Sequence, residues 1–393
     1  MSKDSNKNVK PPCPYYGKCG GCQLQNLSNK DQNLYKQKEA EKLLGKYGRV
    51  ENILVMDDPY NYRNKIQYSF GYDKKGKIIS GMYESNTHKI IDIDKCLIQD
   101  PIADEIIKTI KSIMKKYKME PYNEDTRQGF LRHVLIKTGH KTGEVMVVVV
   151  TANHMFHGKK NFVKILRKKH PQISTVIQNI NSKNTSMILG DRESNMYGKG
   201  YIEDILCGLR FRISSKSFYQ INPSQTETLY NKAIEMAGFK GNERIIDAYC
   251  GIGTISLIVA NKVKEVIGVE LNGDAIQDAI RNSKINNINN VKFYKADAGE
   301  FMVGLASKNE KIDAVIMDPP RAGSDEAFLH SMCQLNPEKI VYISCNMETQ
   351  ARDLEYLVKN GYKVKGIQPV DMFPQTGHVE STILMTYCGS EEK

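Results

Sequence analysis

No apolar run in this chain approaches the roughly 18 consecutive residues that a membrane-crossing helix needs, and the first 30 residues are polar and lysine-rich, without the apolar core of a secretory leader. These two absences set aside helical membrane proteins and secreted chains, so the expected compartment is the cytoplasm, with no membrane partner. Internal repeats and low-complexity tracts are also missing, which leaves ordinary globular domains. At 393 residues and 40% hydrophobic content, the chain is too long for one core, and about 150 residues per domain gives two or three. Acidic charge is scarce in the first half. Residues 1–200 carry 35 Lys+Arg against 20 Asp+Glu, a balance of +15, whereas residues 201–393 carry 21 against 25, a balance of −4. A one-sided positive field of this size suits a polyanion such as RNA or DNA. A solvated lysine-rich surface would give the same count.

A reducing compartment also removes disulfides as the use for nine cysteines, leaving metal binding and catalysis. Cys13, Cys19 and Cys22 form C-x5-C-x2-C, with glycines at 17, 20 and 21 that let the backbone curl so that several thiolates face one point. The C-x3-C-x2-C spacing of enzymes that cleave S-adenosylmethionine into radicals is absent. Three thiolates need a fourth partner, and Cys96 is the nearest cysteine that can close the set. Four cysteines suit a tetrahedral zinc or a four-iron cluster, and spacing alone does not choose.

From about residue 243 the pattern becomes strand, glycine turn, helix, strand. Residues 244–248 read as a buried strand, Gly251 and Gly253 as the turn, and Glu270 ends the next strand 19 residues after Gly251, where a carboxylate can accept hydrogen bonds from ribose hydroxyls. The third glycine of a dinucleotide motif is missing, with Ser256 in its place. Without a pyrophosphate to cradle, the unit fits S-adenosylmethionine better than NAD. A third strand ends at Asp297, a carboxylate suited to an adenine amino group, and a fourth ends at Asp318, where Pro319 and Pro320 force an extended exit. The expected fold is therefore α/β, a doubly wound parallel sheet. Helix capping is the ordinary alternative for these acids.

The β-branched run Ile340–Ser344 ends in Cys345, at the carboxyl end of a strand where open α/β sheets bind ligands. A thiolate there can attack carbon. A buried structural cysteine would satisfy the same pattern.

Three signatures carry a resemblance to a known family. They are Asp318-Pro-Pro-Arg-Ala-Gly323 followed by Ile340-Val-Tyr-Ile-Ser-Cys345-Asn346, the segment from Val370 through His378 to Glu380, and Ser217-Phe-Tyr-Gln220-Ile-Asn222. Together they resemble the RNA uracil-5 methyltransferases over nearly the whole chain, and with the four cysteines the branch that carries an iron-sulfur cluster and modifies bacterial 23S ribosomal RNA. The resemblance implies a C-terminal class I (Rossmann-like) S-adenosylmethionine methyltransferase domain at 206–393, a central α+β RNA-binding domain at 49–205, and an iron-sulfur region at 1–48 and around 96. It implies Cys345 as nucleophile and Glu380 as base. Gln220, Tyr249, Glu270, Asp297 and Asp318 become cofactor contacts, and Cys13, Cys19, Cys22 and Cys96 become ligands of a 4Fe-4S cluster. The substrate implied is a uridine of 23S rRNA and the enzyme a monomer. The same chemistry on a tRNA uridine is the alternative substrate, and a non-catalytic zinc or iron-sulfur RNA-binding protein the alternative class.

Two departures accompany the likeness. Asn346 is followed by Met347 where many relatives have proline, and only twelve residues precede Cys13, so the small N-terminal β-barrel of many relatives is not expected. His378, two residues before Glu380, would share its face if both lie on a strand. Tyr62 to Lys65 and Gly129 to His133 are expected to offer phosphate contacts and stacking surfaces. Helices are expected near 29–44, opened by Ser28 and Asp31, and near 101–118. Strands are expected at 145–150 and 206–214.

Overall fold

The computed structural model describes residues 8–84 and 87–389. The first helix, α1, runs Asn29–Leu44 and starts where the Ser28 side chain accepts the Asp31 amide. Its buried positions, Gln32, Lys36, Ala40 and Leu44, recur every four residues and so form one stripe. The lower half of that stripe, Ala40 and Leu44, is apolar and joins the core beneath the C-terminal sheet.

A mixed sheet follows, built from β1 (Lys65–Tyr72), β2 (Ile78–Tyr83), β3 (Ile90–Asp92), β4 (Leu131–Thr138), β5 (Val145–Thr151), β6 (Ile173–Ile180) and β7 (Arg192–Gly198), in the order β3-β2-β1-β4-β5-β6-β7. Only β5 and β6 pair in parallel, and the helix α3 (Lys159–Lys169) makes the crossover that such a pair requires. The other helix of this region, α2 (Pro101–Tyr117), is capped by Asp100 and stopped by Lys118 in the left-handed region. The apolar run at 145–150 becomes β5, buried along its whole length. Val145, Val147 and Val149 face the α2–α3 core. Met146 and Val148 face a second core shared with the C-terminal half, as period-two alternation dictates.

The expected strand 206–214 is interrupted. Leu206 ends β8 (Tyr201–Leu206) and Leu209 opens β9 (Leu209–Ser214), with Leu206 opposite Leu209. Between them Cys207 and Gly208 have φ of +48° and +79°, the pair of left-handed residues that a two-residue hairpin turn demands. The helix α4 (Pro223–Ala237) then starts with Asn222 as cap and Pro223 at the first helical position.

The second sheet contains β10 (Arg244–Ala248), β11 (Glu265–Glu270), β12 (Val291–Lys295), β13 (Ala314–Met317), β14 (Lys339–Ser344), β15 (Tyr362–Val370) and β16 (Glu380–Tyr387), in the order β12-β11-β10-β13-β14-β16-β15. Its intervening helices are α5 (Thr254–Val259), α6 (Gly273–Ile285), α7 (Ala298–Ala306), α8 (Glu326–Leu335) and α9 (Met347–Lys359). The five strands β10 to β14 are parallel, as expected, but β16 runs antiparallel to both β14 and β15. That reversal sets the amino end of β16 beside the carboxyl end of β14. No helix among the described residues is long and apolar enough to cross a membrane.

Candidate active site at the carboxyl edge of the parallel sheet

Ser344 pairs with Ser381 in the β14–β16 ladder, so the next residues outward, Cys345 and Glu380, stand opposite each other. Opposed residues of an antiparallel pair project to one face. Glu380 is buried, and its Oε2 finds no hydrogen-bond partner among the described residues. Burial first, and then the neighbouring Asp318, push its carboxyl well above the usual range, against the opposing pull of Arg321. Cys345 is half-buried; burial, then Glu380 and Asp318, push its thiol up to about 11, while the charge and hydrogen bond of Arg321 act downward. Asp318 is pushed up to about 7 by burial and by Asp247. A thiol, two proton-hungry carboxylates and one guanidinium thus share a single corner.

The corner is held by the residues around it. Asn346 caps α9, and its side-chain amide donates to the Arg321 carbonyl at 3.0 Å. Thr349 Oγ1 donates to the same carbonyl at 3.2 Å, so the Asp318–Arg321 loop is tied to the turn that carries Cys345. Met347 stands at the first helical position of α9, a place where proline's fixed φ serves equally well. Its departure from the family pattern therefore leaves the turn intact. Cys345 also lies directly before that helix start, where exposed amides favour a thiolate.

Gln220 Nε2 lies 3.5 Å from Asp318 Oδ2, and the buried Tyr230 lies against Gln220, Thr254 and Asp318. Glu270 accepts the Gly251 amide on Oε2 at 3.2 Å and the Asn272 amide on Oε1 at 2.8 Å. In the glycine turn, Tyr249 has φ +66° and Gly251 +55°, and a Cβ added to Gly251 would meet nothing within 4 Å. Open space above a strained turn is what a ligand passing over the backbone needs. Tyr249 packs its ring on Phe328 at 5.2 Å. Ser256, in the position of the missing third glycine, donates to Asp247 Oδ2, while Asp247 Oδ1 is buried without a partner among the described residues. Asp297 caps α7 by accepting the Glu300 amide at 3.0 Å and lies within electrostatic reach of Tyr249. Tyr249, Glu270, Asp297 and Asp318 therefore occupy adjoining strand ends of one sheet, with Asp297 also spending one oxygen as a cap, and Gln220 reaches Asp318 from the loop before α4.

Several expectations need correction. His378 is not on the strand, which begins at Glu380; it sits in the preceding loop, exposed, edge-on to Phe373 at 6.3 Å. Arg132 is buried, bound to Glu124 and to the carbonyls of Asn181 and Lys183. His133, Tyr62 and Asn64 are buried as well. None of these four offers an exposed surface to a phosphate or a base.

The loop 371–379 that delivers Glu380 is clamped by the N-terminal residues. Lys36 forms a buried ion pair with Asp371 and donates to the Phe373 carbonyl at 3.0 Å. Gln375, at φ +70°, exchanges hydrogen bonds with Gln32, and its carbonyl accepts the Gln23 and Leu24 amides, each at 3.1 Å. Tyr62 Oη donates to the Pro374 carbonyl at 3.0 Å. Sequence reading missed Lys36 and Asp371, which are 335 residues apart. It also left Arg321 without a role, although Arg321 stands inside a quoted motif.

Cys13, Cys19, Cys22 and Cys96 line one small cavity together with Arg63. Burial, then the Cys96, Cys19 and Cys13 charges, push the Cys22 thiol up to about 12 against a hydrogen bond from Gln25. Burial pushes Cys96 up to about 11. Yet among the described residues no three such donors converge closely enough to hold a single metal ion, as a tetrahedral zinc would require.

Residues 28–387 match the model of the family described as tRNA (uracil-5-)-methyltransferase. An uncharacterized RNA methyltransferase of Clostridium tetani is 43% identical over 393 residues, covering 99% of this chain and 85% of that protein. Another, from Halalkalibacterium halodurans, is 41% identical over 390 residues, covering 98% and 85%. Among solved structures, the Pyrococcus abyssi tRNA (uracil-54, C5)-methyltransferase in complex with S-adenosyl-L-homocysteine is similar at 30% identity and a TM-score of 0.79, over 93% of this chain and 86% of that one.

Proposed function

The chain belongs to the tRNA (uracil-5-)-methyltransferase family, and from that premise we propose that it methylates C5 of a uridine in 23S ribosomal RNA, with S-adenosylmethionine as methyl donor. The observation that carries this reading is the pairing of Cys345 with Glu380 beside Asp318 and Arg321.

Uracil C5 is a weak nucleophile, and the thiolate of Cys345 overcomes this by bonding to C6, which moves the ring electrons into an enolate. Arg321 acts on both Cys345 and Glu380, and it offsets the acids that hold the thiol protonated. Asp318, held to about 7, exchanges protons near neutrality and can receive the thiol proton. S-adenosylmethionine, when bound, would supply an electrophilic methyl group to the enolate carbon C5, its sulfur–methyl bond breaking so that the electron pair leaves with S-adenosylhomocysteine. Glu380 then removes the remaining C5 proton. The electrons of that bond reform the C5–C6 double bond and expel the Cys345 thiolate. A carboxylate buried to this degree is a strong base once ionised. Gln220, Tyr249, Glu270, Asp297 and Asp318 would hold the cofactor, and the open space over Gly251 supports that assignment.

Cys13, Cys19, Cys22 and Cys96 would hold a 4Fe-4S cluster, which would tie the N-terminal loop to the segment before α2. The choice of 23S rRNA rests on this cysteine set. A tRNA uridine is the second reading, favoured by the substrate of the Pyrococcus neighbour. Transfer of tritium from labelled S-adenosylmethionine to unmodified transcripts separates the two: label is expected in 23S rRNA. Label in tRNA alone would replace the substrate, and label in neither would remove the function.

A further inference from the structure

A groove of about 690 Å³ opens between the β1–β2 turn and the last turn of α2, and Lys75, Lys77, Lys115 and Lys118 line it. All four are exposed, and none has an acidic partner within 4 Å among the described residues. Lys111, in the same wall, is already paired with Asp92. The one acid lining the groove is Glu120, and Asp73, at the turn, spends its carboxylate on the Lys75 and Lys77 amides. Tyr72 stands at the mouth, 53% exposed. An adjoining hollow shares Lys118 and carries Tyr117, 40% exposed. Lysines with unused charge beside the exposed Tyr72 ring, with Tyr117 nearby carrying the Lys116 ammonium 5.5 Å over its own ring, match a nucleic-acid backbone with a base free to stack.

The position of the groove gives it a reach. At its near end β1 abuts the catalytic corner, because the Asn64 side chain donates to the Gln220 carbonyl at 3.1 Å and the Asn64 amide to the Ile221 carbonyl at 2.9 Å. At its far end β1 delivers Tyr72 to the groove. Eight residues separate the two ends, on the order of 25 Å at about 3.3 Å per residue. We infer that this groove is a second RNA-docking surface, which grips the phosphate backbone of the substrate RNA at a distance from the reacting uridine. The inference rests on the proposed RNA substrate and extends it by locating where the rest of that RNA is held. It also gives four of the basic residues of the first half a defined surface.

The test replaces Lys75, Lys77, Lys115 and Lys118 together with glutamine and measures binding and methylation of a full-length 23S rRNA transcript. Loss of four phosphate contacts should lower the slope of log affinity against log salt by about 3. The dissociation constant should rise roughly tenfold or more in moderate salt, with KM raised and kcat retained. A matched variant removes Lys160, Lys164, Lys168 and Lys169 from the exposed face of α3, and a third variant carries arginine at the four groove positions. Weak binding confined to the groove glutamine variant, restored by arginine, sustains the inference. Unchanged affinity and slope overturn it. So does an equal loss from the α3 variant, which would mean diffuse attraction, or a fall in kcat with no change in KM, which would mean a structural role. Loss of binding to phosphatidylglycerol vesicles, with the transcript unaffected, would assign the groove to a membrane surface and overturn it as well. If the wild-type protein binds the transcript without methylating it, the proposed reaction fails while the binding comparison still decides the groove.

Discussion

The two sheets have seven strands each, yet one gathers the candidate chemistry and the other offers charge. In the parallel sheet, β10, β11, β13 and β14 end at one edge, so Tyr249, Glu270, Asp318 and Cys345 arrive together from segments far apart in the chain. The mixed sheet alternates direction, so its loops divide between two edges. What it presents to solvent is lysine on α2, on α3 and on the β1–β2 turn. Strand direction decides whether a sheet concentrates chemistry. The antiparallel β16 adds a qualification, because reversing one strand brings Glu380 to the edge where all the others finish.

The largest break in this contrast should come from Cys345→Ala. Methyl transfer is expected to fall on the order of 10⁴-fold or more, with cofactor binding kept; residual turnover near wild type would show that the parallel edge does not act through this sulfur. pH should act next. The thiol and Glu380 are both raised and both react ionised, so activity should climb with pH from 6 to 9, by nearly tenfold per unit where thiol ionisation limits the rate. Arg321→Gln should depress the rate over this range, because the cation opposing those upward shifts is gone. A profile that falls with rising pH in either protein would contradict the assigned ionisation states.

A smaller effect tests the joint between the N-terminal segment and the catalytic edge. Lys36→Met leaves Asp371 buried without its ion pair and should cost about 3–5 kcal/mol of stability in denaturant unfolding. Adding Asp371→Leu should recover much of that loss. If the single variant is as stable as wild type, the clamp on the 371–379 loop carries little weight.

How much of this was legible from sequence follows from how local each signal is. The parallel strands announced themselves through short apolar runs that lead to an acid or a cysteine, and α1 through its capping Ser28 and Asp31. The cysteine triple was legible for the same reason. The pairing of Cys345 with Glu380 depends on β16 entering antiparallel, and the residues alone do not state a strand's direction. Burial misled the reading of Arg132 and His133: on an alternating strand they look like a basic surface, but Glu124 and two backbone carbonyls take up the guanidinium. The break at Cys207 was hidden because an apolar run on both sides of Cys207-Gly208 masks the turn. Lys36 reads as an ordinary surface lysine until Asp371 arrives from the far end of the chain.

The most direct measurement is mass spectrometry of Glu380→Gln after incubation with S-adenosylmethionine and the 23S rRNA transcript, digested to peptides and nucleotides. Without its base the reaction should stop after methyl transfer, with turnover reduced roughly 10²–10⁴-fold and the peptide containing Cys345 carrying a 5-methyluracil nucleotide. Recovery of that peptide unmodified, from a variant that binds RNA and cofactor normally, would contradict the account.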